Sequence, residues 1–127
     1  MNTVIFGLEN RIDRWRRCEE ILKENNFKEV TYYTTVKDER DVYRHAARDF
    51  LRLLELKRGD DLLFFENDFE LVNGWEDVFN KAWADLPVDF DLLYLGANLT
   101  RSAKRITNNL VQVRGAWCLH GAVLSKR

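Results

Sequence analysis

The sequence contains few of the residues that mark special chain classes. Only two cysteines and one proline occur among its 127 residues. Cys18 and Cys118 are far apart and match no metal-ligand spacing, so both are expected to be small buried hydrophobic residues. Pro87 marks a connection between elements and not a linker between domains.

Long apolar runs and an excess of one charge are also absent. No stretch approaches the roughly 18 consecutive apolar residues of a membrane span. The N-terminus lacks the basic-then-apolar build of a signal peptide, so we predict a cytoplasmic protein with no transmembrane segment. Lys and Arg number 20 against 21 Asp and Glu. No global basic field therefore draws in nucleic acid, and an anionic partner needs a local site.

The chain is rich in the residues that build a core. Of its residues, 46% are apolar and 13% are aromatic. Such a chain can bury enough apolar surface to offset the conformational entropy that is lost on folding. At this length the composition predicts a single domain over residues 1–127.

The most informative stretch is an apolar run that ends in acidic residues. Leu62 to Phe65 are typical of a strand buried on both faces, and Glu66-Asn67-Asp68 follow directly. The carboxyl ends of parallel strands line the crevice where ligands bind in open α/β sheets. Residues two apart on an extended segment point the same way, so Glu66 and Asp68 are candidate ligands for Mg²⁺ or Mn²⁺. The alternative is a solvated acidic loop with no function.

Hydrophobic periodicity predicts strands that alternate with helices, and hence an α/β fold with a mostly parallel sheet. The predicted helices cover about residues 12–26, 41–56 and 75–84. The predicted strands cover residues 3–8, 30–36, 62–65, 89–96, 110–113 and 117–124. Residues 97–109 are polar and basic and are expected to form an exposed excursion over the cleft.

Four arginines crowd the start of the first predicted helix. Arg11 and Arg14 lie closest to the strand end, where a guanidinium can hold a phosphate or diphosphate by forked hydrogen bonds. A solvated helix face is the alternative, and it is preferred for Arg16 and Arg17. His45 lies beside the apolar stripe of the second helix, where a structural role is the commoner one.

Several segments together resemble family 25 glycosyltransferases, the lipopolysaccharide-biosynthesis and procollagen galactosyltransferase type. The similar segments are Asn10-Arg11-x-Asp13-Arg14, Leu63-Phe64-Phe65-Glu66-Asn67-Asp68, residues 86–96 and His120-Gly121-Ala122-Val123-Leu124-Ser125-Lys126. The Leu-Tyr-Leu-Gly strand at 93–96, spaced after Glu-x-Asp, is the most specific part. The likeness spans nearly the whole chain.

The resemblance implies a GT-A-like, Rossmann-type fold that moves galactose or a similar sugar from a UDP-sugar to a hydroxyl of a glycan or glycoconjugate. It implies Mn²⁺ or Mg²⁺ held by Glu66, Asp68 and His120. The residues that it implies for nucleotide-sugar binding are Glu9, Asn10, Arg11, Arg14, His45, Glu66 and Asn67.

The chain departs from the family at two residues and at its end. The family motif Glu-Asp-Asp becomes Glu66-Asn67-Asp68, which removes one negative charge, and Arg44 replaces the serine before His45. The usual C-terminal helical region is not in this chain, as expected of a fragment or a minimal form, and no catalytic base is named. Apolar surface left uncovered near Trp117 predicts self-association into a homo-oligomer.

Two alternatives to a transferase remain open. A non-catalytic nucleotide-sugar-binding or interaction module would keep the fold without the chemistry, and Asn67 favours it. A metal-dependent phosphotransferase or nuclease fits the acidic strand end. Such proteins usually carry the key aspartate after the first strand, where this chain has Glu9-Asn10-Arg11.

Overall fold

The computed structural model describes residues 1–36, 42–56 and 59–127, with the side chains of 42–46 and 117–119 outside the description. Helices and strands alternate over the first two thirds of the chain. The helices are α1 (Ile12–Glu24), α2 (Val42–Leu56) and α3 (Trp75–Ala84). The strands are β1 (Asn2–Leu8), β2 (Val30–Thr35), β3 (Leu62–Glu66), β4 (Leu92–Leu99), β5 (Lys104–Arg105), β6 (Val111–Gln112) and β7 (Ala116–Leu124).

Five strands form one mixed sheet in the order β2-β1-β3-β7-β4. Strands β1, β2 and β3 pair in parallel. Strand β7 is antiparallel to both of its neighbours, β3 and β4, so β4 runs in the same direction as β3. The predicted α/β fold with helices flanking the sheet is confirmed. The sheet itself is mixed, because two of its four strand pairings are parallel and the two pairings of β7 are antiparallel.

Strand β3 lies at the centre of the core, as its continuous apolar run predicts. Leu63 and Phe65 belong to the core cluster on the face that packs against α1, together with Cys18 and Ile21. Leu62 and Phe64 belong to the cluster on the other face, which includes Leu53 of α2. Burial on both faces is the usual state of a strand whose side chains are all apolar.

Some predicted boundaries and faces are wrong. Strand β4 begins at Leu92, because a turn closed by the Phe90 N–H and the Pro87 carbonyl (3.2 Å) precedes it. Ile12 begins the apolar helical spacing that predicts the inward face of α1, but it is 61% exposed because it is the first helical residue and lies ahead of the packed face. Val78 is 64% exposed because it lines a cavity between α3 and the sheet.

The excursion between β4 and β7 forms a small second sheet of its own. Strands β5 and β6 pair antiparallel as a hairpin. Thr107 and Asn109 in the hairpin loop both donate hydrogen bonds to the Asp85 carboxylate, at 2.6 and 2.8 Å. The loop is therefore tied to the end of α3. No helix among the described residues is long and apolar enough to cross a membrane.

The buried thiol of Cys18 gives a test of the core. Burial raises the pKa of Cys18 from 9.0 to about 11, with nearby carboxylates adding to the effect. Between these values the unfolded chain loses the thiol proton and the folded chain keeps it, so stability falls as pH rises, by up to about 3 kcal/mol. Urea unfolding in reductant at pH 8 and pH 11 measures this loss. The decrease in unfolding free energy between these pH values is expected to be smaller in Cys18→Ala than in the native protein. An equal decrease in both proteins would contradict the raised pKa of Cys18.

Candidate metal centre

The acidic residues after β3 lie on a tight turn. The Phe69 N–H donates to the Glu66 carbonyl at 3.1 Å and closes a turn over residues 66–69. The expectation of an extended segment here is wrong, because Asn and Asp favour turns through their short polar side chains. The turn begins at the carboxyl end of β3, and the Asn67 N–H donates to the Phe6 carbonyl of β1 at 2.8 Å.

Glu66, Asp68 and His120 nevertheless converge. The Nδ1 atom of His120 is 2.9 Å from Oε2 of Glu66 and 3.7 Å from Oδ1 of Asp68. One ligand atom from each of the three residues lies within 4.8 Å of the others. The three side chains predicted to bind metal are therefore brought to one point, at the edge of the sheet where β3 ends.

The position of His120 follows from the register of β7. Phe65 pairs with Gly121, which places His120 beside Glu66 on the neighbouring strand. Gly121 is needed for this contact, because a Cβ at this residue would lie 2.7 Å from Cδ1 of Phe65. A larger residue would push β7 or the Phe65 ring away and move His120 with it.

Helix α1 brings Arg14 to the same point. Its Nη1 atom is 2.8 Å from Oδ2 of Asp68. One turn further along, Arg17 lies on an exposed helix face, as predicted, and pairs there with Glu20 at 3.4 Å. It also forms two hydrogen bonds with Glu70, at 3.1 and 3.0 Å. The Trp15 indole N–H donates to the Leu8 carbonyl at 2.9 Å and holds the start of α1 on the end of β1.

The segment before α1 lies at the same edge of the sheet. Glu9 and Asn10 are exposed, and the Glu9 N–H donates to the Thr35 carbonyl at 2.9 Å. Arg11 forms two hydrogen bonds with Asp13, at 3.0 and 2.8 Å, and they lower the pKa of Asp13 to about 2. The same bonds raise the pKa of Arg11, and the charge of Asp68 raises it further.

The side chain of Asn67, which was predicted to bind the nucleotide-sugar, points into the core. Asn67 is buried, with 4% of its surface exposed, and its side chain packs against Gly7. Among the described residues its Nδ2 atom has no hydrogen-bond partner, while its main-chain carbonyl accepts a bond from the Cys18 thiol at 3.3 Å. Contact with a nucleotide would therefore require the Asn67 side chain to move. His45 lies on α2, and its predicted role falls outside the described residues because its side chain is not described.

The electrostatics of the cluster favour a cation. Burial raises the pKa of Glu66 and the charge of Asp68 adds to this, whereas His120 and Arg14 oppose it. A positive ion between Glu66 and Asp68 would relieve the smaller part of this rise, which comes from the repulsion between the two carboxylates. Two carboxylates with one imidazole form a donor set that fits Mn²⁺ better than Mg²⁺, which prefers oxygen.

A cavity of about 1210 Å³ extends from this cluster along the sheet. Asp68, Phe65 and His120 line one part of it. Residues of α3 and β4, residues 106 and 109–113 of the hairpin, and the connections at 70–72 and 86–91, with Asp89 and Asp91, line the rest. This volume is enough for a sugar and part of a second ligand.

No protein-family model matches the sequence, and no curated protein matches it. Function is therefore inferred from the residues of the site and from the fold that positions them.

Proposed function

We propose that the chain is a GT-A-like domain of a metal-dependent glycosyltransferase of the family 25 type. It would move a sugar, galactose or a relative, from a UDP-sugar to an acceptor hydroxyl. One observation carries this proposal: Glu66, Asp68 and His120 meet next to Arg14 at the carboxyl end of β3, at the edge of a cavity. Strand ends of this kind are the usual ligand sites of open α/β sheets.

The side chains of this edge have distinct parts in the proposal. Glu66, Asp68 and His120 would hold Mn²⁺ or Mg²⁺, which supplies Lewis acidity toward the diphosphate when bound. Arg14 neutralises Asp68 in the free protein and would turn to the diphosphate oxygens when the donor arrives, as a guanidinium fork suits them. Arg11, at the uncapped start of α1, would add a second cation at the same edge.

Transfer then needs only a positioned acceptor. The acceptor oxygen forms a bond to the anomeric carbon, the bond from that carbon to the diphosphate breaks, and UDP leaves with the electron pair. The hydroxyl proton passes to solvent water. Positioning in the cavity and stabilisation of the departing charge by Arg14 are the contributions that these residues can make.

Calorimetry with UDP and Mn²⁺ tests the proposal. We expect UDP to bind in the presence of Mn²⁺, and Asp68→Ala to bind at least about tenfold more weakly because it loses one cation ligand. Asp77→Ala is the matched control, since Asp77 is an exposed carboxylate of α3 that pairs with Lys81. The absence of heat at millimolar UDP, or equal binding of UDP by Asp68→Ala and Asp77→Ala, would contradict the proposal.

A non-catalytic nucleotide-sugar-binding module is the second candidate function. It is favoured by Asn67, which is an amide and is buried. The cluster therefore has only two carboxylates, and one of them is paired with Arg14. Release of UDP from UDP-galactose separates the two candidates. Release above the blank rate supports a transferase, whereas UDP binding with no release supports the module.

A further inference from the structure

Helix α3 has an aromatic face that the rest of the protein covers only in part. Trp75, Phe79 and Trp83 follow one another at helical spacing, and the centroids of neighbouring rings are 6.4 and 5.7 Å apart. A face of this kind is normally buried against the core. No residue of α3, all of which the structure describes, is fully buried, and the cavity lies between this helix and the sheet. The aromatic face is therefore open to an occupant of the cavity.

The carboxylates of the cavity lining have no matching set of cations. Asp68, Glu70, Asp89 and Asp91 line the cavity, and neither Lys nor Arg occurs among the described residues of the lining. His120 of the metal cluster is the one basic side chain there, and it bonds to Glu66. The charges of the lining therefore favour a cationic occupant over an anionic one.

The acidic residues lie at two different ends of the cavity. Leu62 of β3 and Leu92 of β4 both pair with Leu124 of β7, so β4 begins beside the amino end of β3. Asp89 and Asp91 directly precede β4. They therefore lie at the opposite edge of the sheet from the metal cluster, which is at the carboxyl end of β3.

The two ends also differ in how far their charges are neutralised. At the metal cluster, Arg14 and Arg17 pair with the two carboxylates of the lining, at 2.8 and 3.0 Å. Asp89 and Asp91 are exposed, and neither forms an ion pair with a described residue. Asp85 nearby accepts its hydrogen bonds from neutral side chains of the hairpin loop, so its charge also remains. A cation that enters the cavity is drawn to this end.

Aromatic rings lie beside these carboxylates. Phe90 stands between the two aspartates in the sequence, lines the cavity and contacts Trp83 edge-on, at a centroid distance of 5.8 Å. Phe79 and Trp75 continue the series of rings along the cavity wall. The face of an aromatic ring attracts a cation as well as an apolar group. The rings and the carboxylates thus favour the same kind of molecule.

We propose that this end of the cavity binds a small organic cation with an apolar body. Its ammonium group pairs with Asp89 and Asp91, and its hydrocarbon or aromatic body packs against Phe90 and the rings of α3. A cavity of about 1210 Å³ is large enough for such a molecule. This site goes beyond the proposed transferase, because binding needs neither the sugar donor nor the metal cation.

Three probes of equal chain length and different charge test the proposal, each kept below its critical micelle concentration. They are octyltrimethylammonium chloride, neutral octyl glucoside and sodium octyl sulfate. Trp75 lines the cavity, so tryptophan fluorescence reports binding. In EDTA and without UDP, we expect octyltrimethylammonium to bind at least about fivefold more tightly than octyl glucoside, and octyl sulfate to bind most weakly. Added salt should weaken the binding of octyltrimethylammonium.

Replacement of the two aspartates locates the site. Asp89→Asn combined with Asp91→Asn is expected to weaken octyltrimethylammonium binding about fivefold and to leave octyl glucoside binding unchanged. The matched control is Glu24→Gln combined with Glu55→Gln. It removes the same charge at exposed residues that do not line the cavity, and it should leave the binding of both probes unchanged.

A charge placed in the cavity wall gives a second test. Val78 of α3 lines the cavity and is 64% exposed, so a longer polar side chain fits there without disturbing the core. Val78→Lys is expected to weaken octyltrimethylammonium binding about threefold, and Val78→Glu to strengthen it about threefold. The two variants should bind octyl glucoside equally.

Equal binding of the three probes, or equal effects of the aspartate pair and its control, would overturn the proposal. So would binding of a basic amphipathic peptide with no response to octyltrimethylammonium, which would indicate a protein partner instead. Octyltrimethylammonium binding in a protein that fails to bind UDP and Mn²⁺ would leave this site standing and remove only the proposed transferase.

Discussion

Replacing Gly7 by Ala is expected to destabilise the protein by about 3 kcal/mol and to abolish the proposed cation binding at the cluster. A Cβ at this residue would overlap the buried carboxamide of Asn67, with Nδ2 only 2.5 Å away. Asn67 lies between Glu66 and Asp68, and its N–H is bonded to Phe6. Pushing this side chain out therefore displaces the turn that presents the two carboxylates.

The overlap can be tested by removing the carboxamide of Asn67. Adding Asn67→Ala to Gly7→Ala makes room for the new methyl group, so the double variant should be more stable than Gly7→Ala alone. Gly96→Ala is the control, because a Cβ there meets no atom within 4 Å. Urea unfolding and calorimetry with Mn²⁺ measure both effects. Equal stability of Gly7→Ala and Gly96→Ala, or no recovery in the double variant, would contradict this account.

Much of the fold could be predicted from local patterns. The apolar run from Leu62 to Phe65 indicates a strand buried on both faces, and helical spacing indicates the faces of α1 that pack. The direction and place of β7 could not be predicted in this way. Its apolar run fits a parallel or an antiparallel strand equally well, and only the long-range pairing with β3 and β4 decides between them.

The candidate metal centre shows the same difference between what local patterns predict and what they do not. The strand end and the resemblance pointed to Glu66, Asp68 and His120, and the structure brings these three residues together. The pairing of Arg14 with Asp68 depends on how α1 packs beside β3, which no local pattern encodes. The side chain of Asn67 turns into the core because residues 66–69 form a turn, and Asn-Asp is the local signal that could have indicated it.

The positive charge of the excursion is evident in the sequence, but its position in the fold is not. Arg101, Lys104 and Arg105 are evident as a basic stretch. That this stretch forms a hairpin depends on the pairing of β5 with β6, and the place of the hairpin depends on its attachment to Asp85. Both depend on contacts between residues that are apart in sequence, which no local pattern predicts.

Replacing Asn67 by aspartate is expected to destabilise the protein by about 3 kcal/mol or more at pH 7. The change restores the acidic residue that the resembled family carries at this place. Here it would bury a carboxylate beside Gly7, with Glu66 and Asp68 as its sequence neighbours. Burial and like charges both raise the pKa of a carboxyl group, so the folded variant would hold its proton more tightly than the unfolded chain.

This shift sets the sign of the pH dependence. A raised pKa in the folded state means that stability falls as pH rises above the unfolded value of about 3.9. The deficit of Asn67→Asp relative to the native protein should thus be small at pH 4 and large at pH 7, measured by urea unfolding at each pH. Asn10→Asp, at an exposed residue of the same edge, is the control and should change stability by less than about 0.5 kcal/mol. If the introduced carboxylate instead reached the cation, Mn²⁺ would stabilise this variant more than the native protein. That result would show that the side chain of residue 67 can bind the cation. It would also show that this side chain leaves its buried position when the cation binds.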